Sequence, residues 1–420
     1  MKCLILSIFF KKYKLIIKPL LSGKTLNYTK KNYDILLVWR LFKRLLFSKS
    51  KRNDKINKNN FKKNTVATFF SNHLERNNRF KYFNGLQKVV KPDYYIARNS
   101  LYIDNILTRA HVFVVIFILT NIIFFFAIIF KKNRVQLSFL PVCIFEWFCL
   151  LNCLSKIKCS YLYHWDAYEI DSNFIAYLNS SEGIKNHKII SSGPLETYYH
   201  DMYCDTISLT SRNNKIDTQK YNWHVGNILH WPPTYYHDYV KHVNKGYKYK
   251  YKLGLISSAS WLRVKNGDTS TPEFFDSENE LNNFLKHYIR DKSDNKLLIL
   301  LHPWEKITSE VYNESISYYK NLYESDNIFF GDKNINSLEY FKNINTSIST
   351  FSSLCMGRLF CGYKTIYAPI KYKKRFDQDI NLNSIFAYNK NQLDDLLTKI
   401  IKMSDNQFFN YYRLNEYTHK

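Results

Sequence analysis

Two short polar clusters follow apolar runs in the second half of the 420-residue chain, and their residue types suit phosphate chemistry. In the first cluster, His302 and Pro303 come directly after the apolar run LLILL, and Glu305 stands two residues further on. Proline fixes the turn, which holds the imidazole at the tip of a predicted strand. Histidine changes charge near neutral pH, so it can hydrogen-bond a phosphate or assist its departure. We predict a ligand site at His302, Pro303 and Glu305; the alternative is a histidine that only caps a loop.

The second cluster lies in ISTFSSLCMGRLFCG, where a predicted strand gives way to a helix at Thr350, Ser352 and Ser353. Free backbone N–H groups and the helix dipole make such a helix start a receptor for anions. The hydroxyls add further donors, so we predict that these three residues bind phosphate. Plain N-capping by serine is the alternative. Arg358, one turn further on, adds positive charge if it faces the ligand, and otherwise lies in solvent.

The carboxylates of HWDAYEID are candidates for a general base, which takes the proton from an attacking hydroxyl group. Asp166 and Glu169 follow a predicted strand of the first half, and we favour Glu169. The alternative is that both are solvated loop acids. The chain has no His/Cys set with ligand spacing, and we expect neither a metal ion nor a cofactor.

The elements around these residues alternate between strands and helices. In the second half, YKLGLI ends at the serine pair Ser257 and Ser258, which we also expect to donate to a phosphate unless it forms a plain polar turn. The further predicted strands are 296–303, 327–332, 346–353 and 364–369, and the helices are 278–291, 309–324, 337–344 and 354–362. This alternation indicates a parallel, doubly wound α/β sheet, whose ligands bind at the carboxyl ends of the strands.

The first half predicts a similar domain. Strands are expected at 65–71, 93–97, 159–171 and 188–190, whereas 197–252 has an irregular, Tyr- and His-rich pattern in which we place the domain boundary. The predicted domains are a basic N-terminal extension at 1–64, a Rossmann-like domain at 65–240 that includes the apolar segment 111–154, a second Rossmann-like domain at 250–400 and a tail or helix at 401–420.

The charge balance favours an anionic partner. Lys and Arg total 61 against 35 Asp and Glu, a formal net charge of +26, and many of the cations fall within 1–64. The apolar run 112–130 is long enough to span or enter a bilayer; the alternatives are a wholly buried helix and a helix that lies in the interface. The segment 33–52 has the composition of a basic interfacial helix, with an ordinary amphipathic helix packed on a core as the alternative. Without zinc-finger spacing or an aromatic RNA-binding signature, we expect an anionic membrane surface and no nucleic acid. The eight cysteines form no CxxC pair, which predicts reduced thiols.

The order strand–His-Pro-x-Glu, strand–Ser-Ser–helix–Gly resembles bacterial polysialyltransferases, related capsule and lipooligosaccharide sialyltransferases, and the glycerophosphate polymerases of teichoic acid synthesis. The resemblance covers 251–370. It implies a GT-B fold, two Rossmann-like domains with a cleft between them, and a cytidine nucleotide whose phosphates are held by His302, Pro303, Ser352 and Ser353. It also implies that the domain at 65–240 binds the acceptor and that the domain at 250–400 binds the nucleotide sugar. No acidic-acidic-glycine motif of these families can be matched in the first half.

These observations together predict a metal-independent, inverting glycosyltransferase. Its partners would be a nucleotide-sugar donor and a surface glycan or glycolipid acceptor. We expect it at the cytoplasmic face of the inner membrane, held peripherally or by a single or hairpin segment. The alternatives are a sugar-nucleotide epimerase of the same architecture and a basic, non-enzymatic scaffold or nucleic-acid-binding protein.

Overall fold

The structure is a computed structural model. It describes residues 65–70, 94–97, 111, 114, 117–118, 149–154, 157–164, 176–177, 179–189, 202–209, 223–230, 236–246, 249–267, 272–290, 295–372 and 380–419. The chain divides into two compact units. Unit 1 is built around one β-sheet. Unit 2 includes the described chain from His230 onwards, together with two short earlier segments, and contains a second sheet.

The sheet of unit 1 has six strands in the order β2-β1-β3-β4-β5-β6. The strands are β1 Thr65–Phe70, β2 Tyr94–Ala97, β3 Cys159–His164, β4 Lys185–Ile189, β5 Tyr203–Leu209 and β6 His224–His230. The pairings β1–β2, β1–β3, β3–β4 and β4–β5 are parallel. The four strands predicted for the first half are therefore present in one largely parallel sheet.

Strands β5 and β6 correct the expectation that 197–252 is irregular. Burial explains why the pattern hid β6, whose residues are all exposed or half-buried at one edge of the sheet. A strand that buries neither face shows no clear alternation of apolar and polar residues.

Unit 2 contains five parallel strands in the order β11-β10-β7-β8-β9. They are β7 Tyr251–Ile256, β8 Leu297–Leu300, β9 Ile328–Phe330, β10 Ile344–Ser349 and β11 Thr365–Tyr367. The helices are α1 Ser260–Lys265, α2 Pro272–Arg290, α3 Ser309–Tyr323, α4 Ser353–Phe360, α5 Ile380–Asn383, α6 Lys390–Ile400 and α7 Asp405–Tyr411, with 3₁₀ segments at Val240–His242, Pro303–Lys306, Ser337–Asn343 and Asn415–Tyr417. Every strand predicted between 251 and 369 is confirmed.

The core of unit 2 surrounds its central strands. All four residues of Leu297–Leu300 are buried, as expected for a parallel strand covered by helices on both faces. The segment 401–420 belongs to the same core, because Phe408, Leu414 and Tyr417 are fully buried in it. The six cysteines within the described residues are all free thiols, in agreement with the sequence prediction.

Several predicted segments lie outside the described residues. They include 1–64 with the basic helix at 33–52, and most of the apolar run 112–130. In that run Val114, Phe117 and Ile118 are helical, and each side chain is about half exposed. No helix in the part of the chain that the structure describes combines the length and hydropathy needed to cross a bilayer.

Candidate functional site

The polar clusters predicted in the second half lie at the carboxyl ends of three consecutive strands of the unit 2 sheet. Ser257 and Ser258 follow β7, His302 follows β8, and Thr350 to Ser353 follow β10. The sheet order places β7 between β8 and β10. Since neighbouring strands are about 4.8 Å apart, the ends of β8 and β10 are roughly 10 Å apart. A ligand that contacts both His302 and Ser353 must therefore lie across the serine loop.

His302 is held in a defined orientation by the 3₁₀ turn that follows it. Its Nδ1 accepts a hydrogen bond from the backbone N–H of Trp304 at 3.2 Å, and Pro303 occupies the first position of the turn. His302 is therefore the N-cap of this turn, as the capping alternative expects. Because Nδ1 accepts, the proton of the neutral imidazole sits on Nε2, which is the nitrogen able to donate to an anion.

Glu305 lies beneath this turn and is fully buried. Its Oε2 accepts from the backbone N–H of His302 at 2.7 Å, and its Oε1 accepts from Trp261 Nε1 at 2.6 Å. The Tyr319 hydroxyl lies 3.1 Å from the same Oε1 and donates to Ser257 Oγ at 2.7 Å. Burial, with the negative charge of nearby Glu278 in second place, raises the pKa of Glu305 to about 7. The predicted phosphate contact therefore becomes a buried support of the His302 turn.

Glu278, on helix α2, holds the serine loop from below. Its Oε1 accepts from the N–H of Ser258 at 2.7 Å, and its Oε2 accepts from the N–H of Ser260 at 3.0 Å and from the Ser260 hydroxyl. Between them Ala259 adopts the left-handed conformation at φ 53°, which is strained for a residue with a Cβ. The N–H groups that a phosphate would need here are already bound to a carboxylate of the protein.

Hydrogen bonds also join the loops after β7 and β10. Ser258 Oγ lies 3.0 Å from Thr350 Oγ1, and Ser349 Oγ donates to the carbonyl of Ile256 at 2.7 Å. Thr350 and Ser257 are each only 1% exposed. In this conformation their side chains fix the loops and do not reach a ligand, which revises the contacts predicted for them.

Helix α4 begins at the serine pair. Ser352 is its N-cap: the hydroxyl oxygen accepts from the N–H of Leu354 at 3.2 Å, as the capping alternative expects. Ser353 differs from it. Within the described chain, neither its hydroxyl nor its backbone N–H has a hydrogen-bond partner, and the residue is half-buried. Ser353 therefore presents two donors at the positive end of a helix dipole.

Arg358 neither faces a ligand nor lies in solvent. Its side chain is completely buried, and its guanidinium donates to the carbonyls of Phe341 at 3.0 Å and Ile344 at 3.1 Å. Burial lowers its pKa to about 10. Both sequence alternatives for Arg358 are wrong, because its terminal guanidinium nitrogens bind backbone carbonyls inside the core, while its Nε has no partner among the described residues.

Among the predicted site residues, His302, Ser258, Ser352 and Ser353 are half-buried at the strand ends, and Pro303 is exposed beside them. Asp166 and Glu169 lie outside the described residues. No group of three or more His, Cys, Asp or Glu in the described chain is placed to hold a metal ion.

Comparison with known proteins finds low-level similarity of fold. No family model matches the sequence, and no curated protein matches it. A Staphylococcus aureus MnaA–UDP co-structure is 10% identical, with a TM-score of 0.45 and coverage of 84% of this chain and 91% of that one. A Methanocaldococcus jannaschii UDP-GlcNAc 2-epimerase in complex with UDP-GlcNAc and UDP is 12% identical, with a TM-score of 0.46 and coverage of 84% and 98%. TarM is 11% identical, with a TM-score of 0.40 and coverage of 64% and 55%.

At these identities and TM-scores the similarities identify no family, so the chemistry rests on the site's own residues. The sequence did not point to Glu278 or Tyr319, which connect the serine loop to α2 and α3. No local signal marks them, because each is one polar residue on an amphipathic helix. Their function becomes visible only when the two helices pack on the sheet.

Proposed function

We propose that this protein is an inverting, metal-independent glycosyltransferase that uses a nucleotide-activated sugar. The observation that carries the proposal is the pair of donors on Ser353 that have no partner among the described residues. They lie at the same carboxyl end of the unit 2 sheet as the Nε2 of His302. Free donors at the start of a helix suit the phosphate of a nucleotide. The loops that present them are held by hydrogen bonds that their side chains make to each other and to the core, so little ordering is left for ligand binding.

The bound donor would lie across the end of β7, with its phosphate at the N-terminus of α4. As the acceptor oxygen attacks the anomeric carbon, the bond from that carbon to the phosphate oxygen breaks and its electron pair passes to the phosphate. The Ser353 donors and His302 Nε2 stabilise the charge that develops on the leaving phosphate. Glu169, or in second place Asp166, takes the acceptor proton in this proposal.

A binding experiment tests the nucleotide site. CMP, UDP and GDP are titrated calorimetrically into the wild type, Ser353→Ala and His302→Ala. Ser353→Ala removes a hydroxyl that has no partner in the described protein, so the fold should persist while nucleotide affinity falls about tenfold. Ser317→Ala and His287→Ala, on exposed faces of α3 and α2, are the matched controls.

The outcomes separate the readings. Loss of affinity in both site variants, with transfer of sugar to an added glycan, supports the glycosyltransferase. Tight nucleotide binding with conversion of the nucleotide sugar itself, and no transfer, would point to an epimerase. If no nucleotide binds, but an oligonucleotide does, the site proposal is wrong. A preference for GDP over CMP would count against a cytidine-linked donor and leave the transferase proposal standing.

We also propose that the enzyme works at the cytoplasmic face of the inner membrane on a glycan or glycolipid. The net charge of +26, concentrated in residues 1–64, supports attraction to anionic lipid. The full chain should sediment with phosphatidylglycerol vesicles and much less with phosphatidylcholine vesicles, and raised salt should release it. Equal binding to both vesicle types would contradict the charge argument.

A further inference from the structure

Arg263 is the positively charged residue that the sequence reasoning did not associate with the site. It lies on helix α1, which begins directly after the serine loop at the carboxyl end of β7. Its guanidinium carbon is 4.7 Å from the centroid of the Trp304 ring. Trp304 belongs to the turn that holds His302, and the rings of these two residues are 6.1 Å apart in an edge-to-face arrangement.

Among the described residues, the guanidinium of Arg263 has no acidic partner. No carboxylate of the described chain lies within ion-pair distance of it, and its buried Nε has no hydrogen-bond partner. Lys265, two residues later on the same helix, is paired with Glu314 instead. A desolvated guanidinium N–H without an acceptor is costly, so a place where one persists calls for an explanation.

Stacking on Trp304 provides the orientation. Arginine packs its planar group on aromatic faces and binds phosphate with a rigid fork of N–H donors. The aromatic face limits the rotation of the guanidinium, and so fewer conformations are lost when an anion binds. Arg358 is buried in the core and cannot contact the ligand. Arg263, on the helix that follows β7, is the other arginine of the described chain close to the strand ends of the proposed site.

We propose that Arg263 binds the phosphate of the nucleotide donor, with Trp304 holding the plane of the guanidinium. This inference rests on the proposed function, because the ligand is the same nucleotide. The full positive charge of Arg263 would then stabilise the leaving phosphate in addition to the neutral donors of Ser353. It also gives Trp304 a second role beside its hydrogen bond to His302.

The test compares Arg263→Gln with Lys265→Gln, which removes the same charge from the same helix. CMP and UDP, and the phosphate-free nucleosides cytidine and uridine, are titrated into each protein. We expect Arg263→Gln to weaken binding of the better nucleotide by about 10- to 100-fold. Nucleoside affinity should change less than twofold, and Lys265→Gln should keep wild-type affinity for both.

The results distinguish the two proposals. If the wild type binds no nucleotide, the proposed function fails and Arg263 has no ligand. If the wild type binds nucleotide and Arg263→Gln binds it equally well, only the role of Arg263 is refuted. Arg263→Lys, which keeps the charge but loses the fork, serves if the glutamine variant does not fold, and an intermediate loss of affinity is expected of it. Full wild-type affinity in that variant, or an equal loss for nucleoside and nucleotide, would overturn the phosphate contact.

Discussion

Replacing Glu305 by glutamine should change how the stability of unit 2 depends on pH. The carboxyl group titrates near 4.5 when exposed and near 7 in the folded protein, because burial disfavours its charge. Between these values the folded state binds the proton and the unfolded state does not. The stability that this group contributes is therefore fully present below pH 4.5 and is lost as the pH rises to 7. The difference corresponds to about 3 kcal/mol in the free energy of unfolding.

Glutamine removes this titration but introduces a mismatch. One oxygen of Glu305 accepts from Trp261 and the other from the backbone of His302. The amide has one oxygen and one NH₂ group, so one of the two N–H donors must face another donor. We expect Glu305→Gln to lower the free energy of unfolding by about 1–3 kcal/mol at pH 5.5. At pH 8.5, where the wild type carries a buried charge, the deficit should shrink or reverse.

Urea unfolding at pH 5.5, 7.0 and 8.5, followed by tryptophan fluorescence, measures the effect. Trp261 contacts Glu305 directly, so the signal includes the site. Glu314→Gln on the exposed side of α3 is the control, and it should differ from the wild type by the same amount at all three pH values. If the difference between the wild type and Glu305→Gln were constant across this range, Glu305 would be ionised throughout and the burial argument would be wrong.

Two further predictions concern stability, one in each unit. In unit 1, His187 bonds Tyr161 at 2.9 Å and Ser208 at 2.7 Å, and burial lowers its pKa to about 4. The stability that this histidine contributes is present above pH 6.5 and is lost as the pH falls towards 4, by up to about 3 kcal/mol. The thermal stability of His187→Asn should therefore differ less between pH 7 and pH 5 than that of the wild type. An equal difference in both proteins would argue against a neutral imidazole. In unit 2, a Cβ at Gly357 would overlap the Tyr239 ring, so Gly357→Ala should cost about 1–3 kcal/mol in urea unfolding. An unchanged midpoint would show that Tyr239 can move aside.

The sequence alone was enough to place the strand ends of unit 2. Runs such as LLILL are long enough for a buried strand, and each is followed by polar residues and a helical pattern. These are local properties, because the length of an apolar run and the residues that cap a helix act within a few positions. For the same reason Ser352 was correctly identified at the start of α4. The position of the candidate site, at the carboxyl ends of the unit 2 strands, therefore follows from local sequence pattern.

The tertiary structure decided which residues at these strand ends are exposed and which are buried. Parallel strands pair through long connections, so sequence order does not reveal that β7 separates β8 from β10. Glu278 reaches the serine loop from 18 residues away, and Arg263 reaches Trp304 only after α1 has packed beside the next strand end. Burial is likewise a property of the packed whole. Glu305 and Thr350 are buried and hydrogen-bond the loops instead of a ligand, and Arg358 is buried in the core. Ser353 is half-buried, and its two donors have no partner among the described residues. Polar groups are stable in the interior only where partners satisfy them.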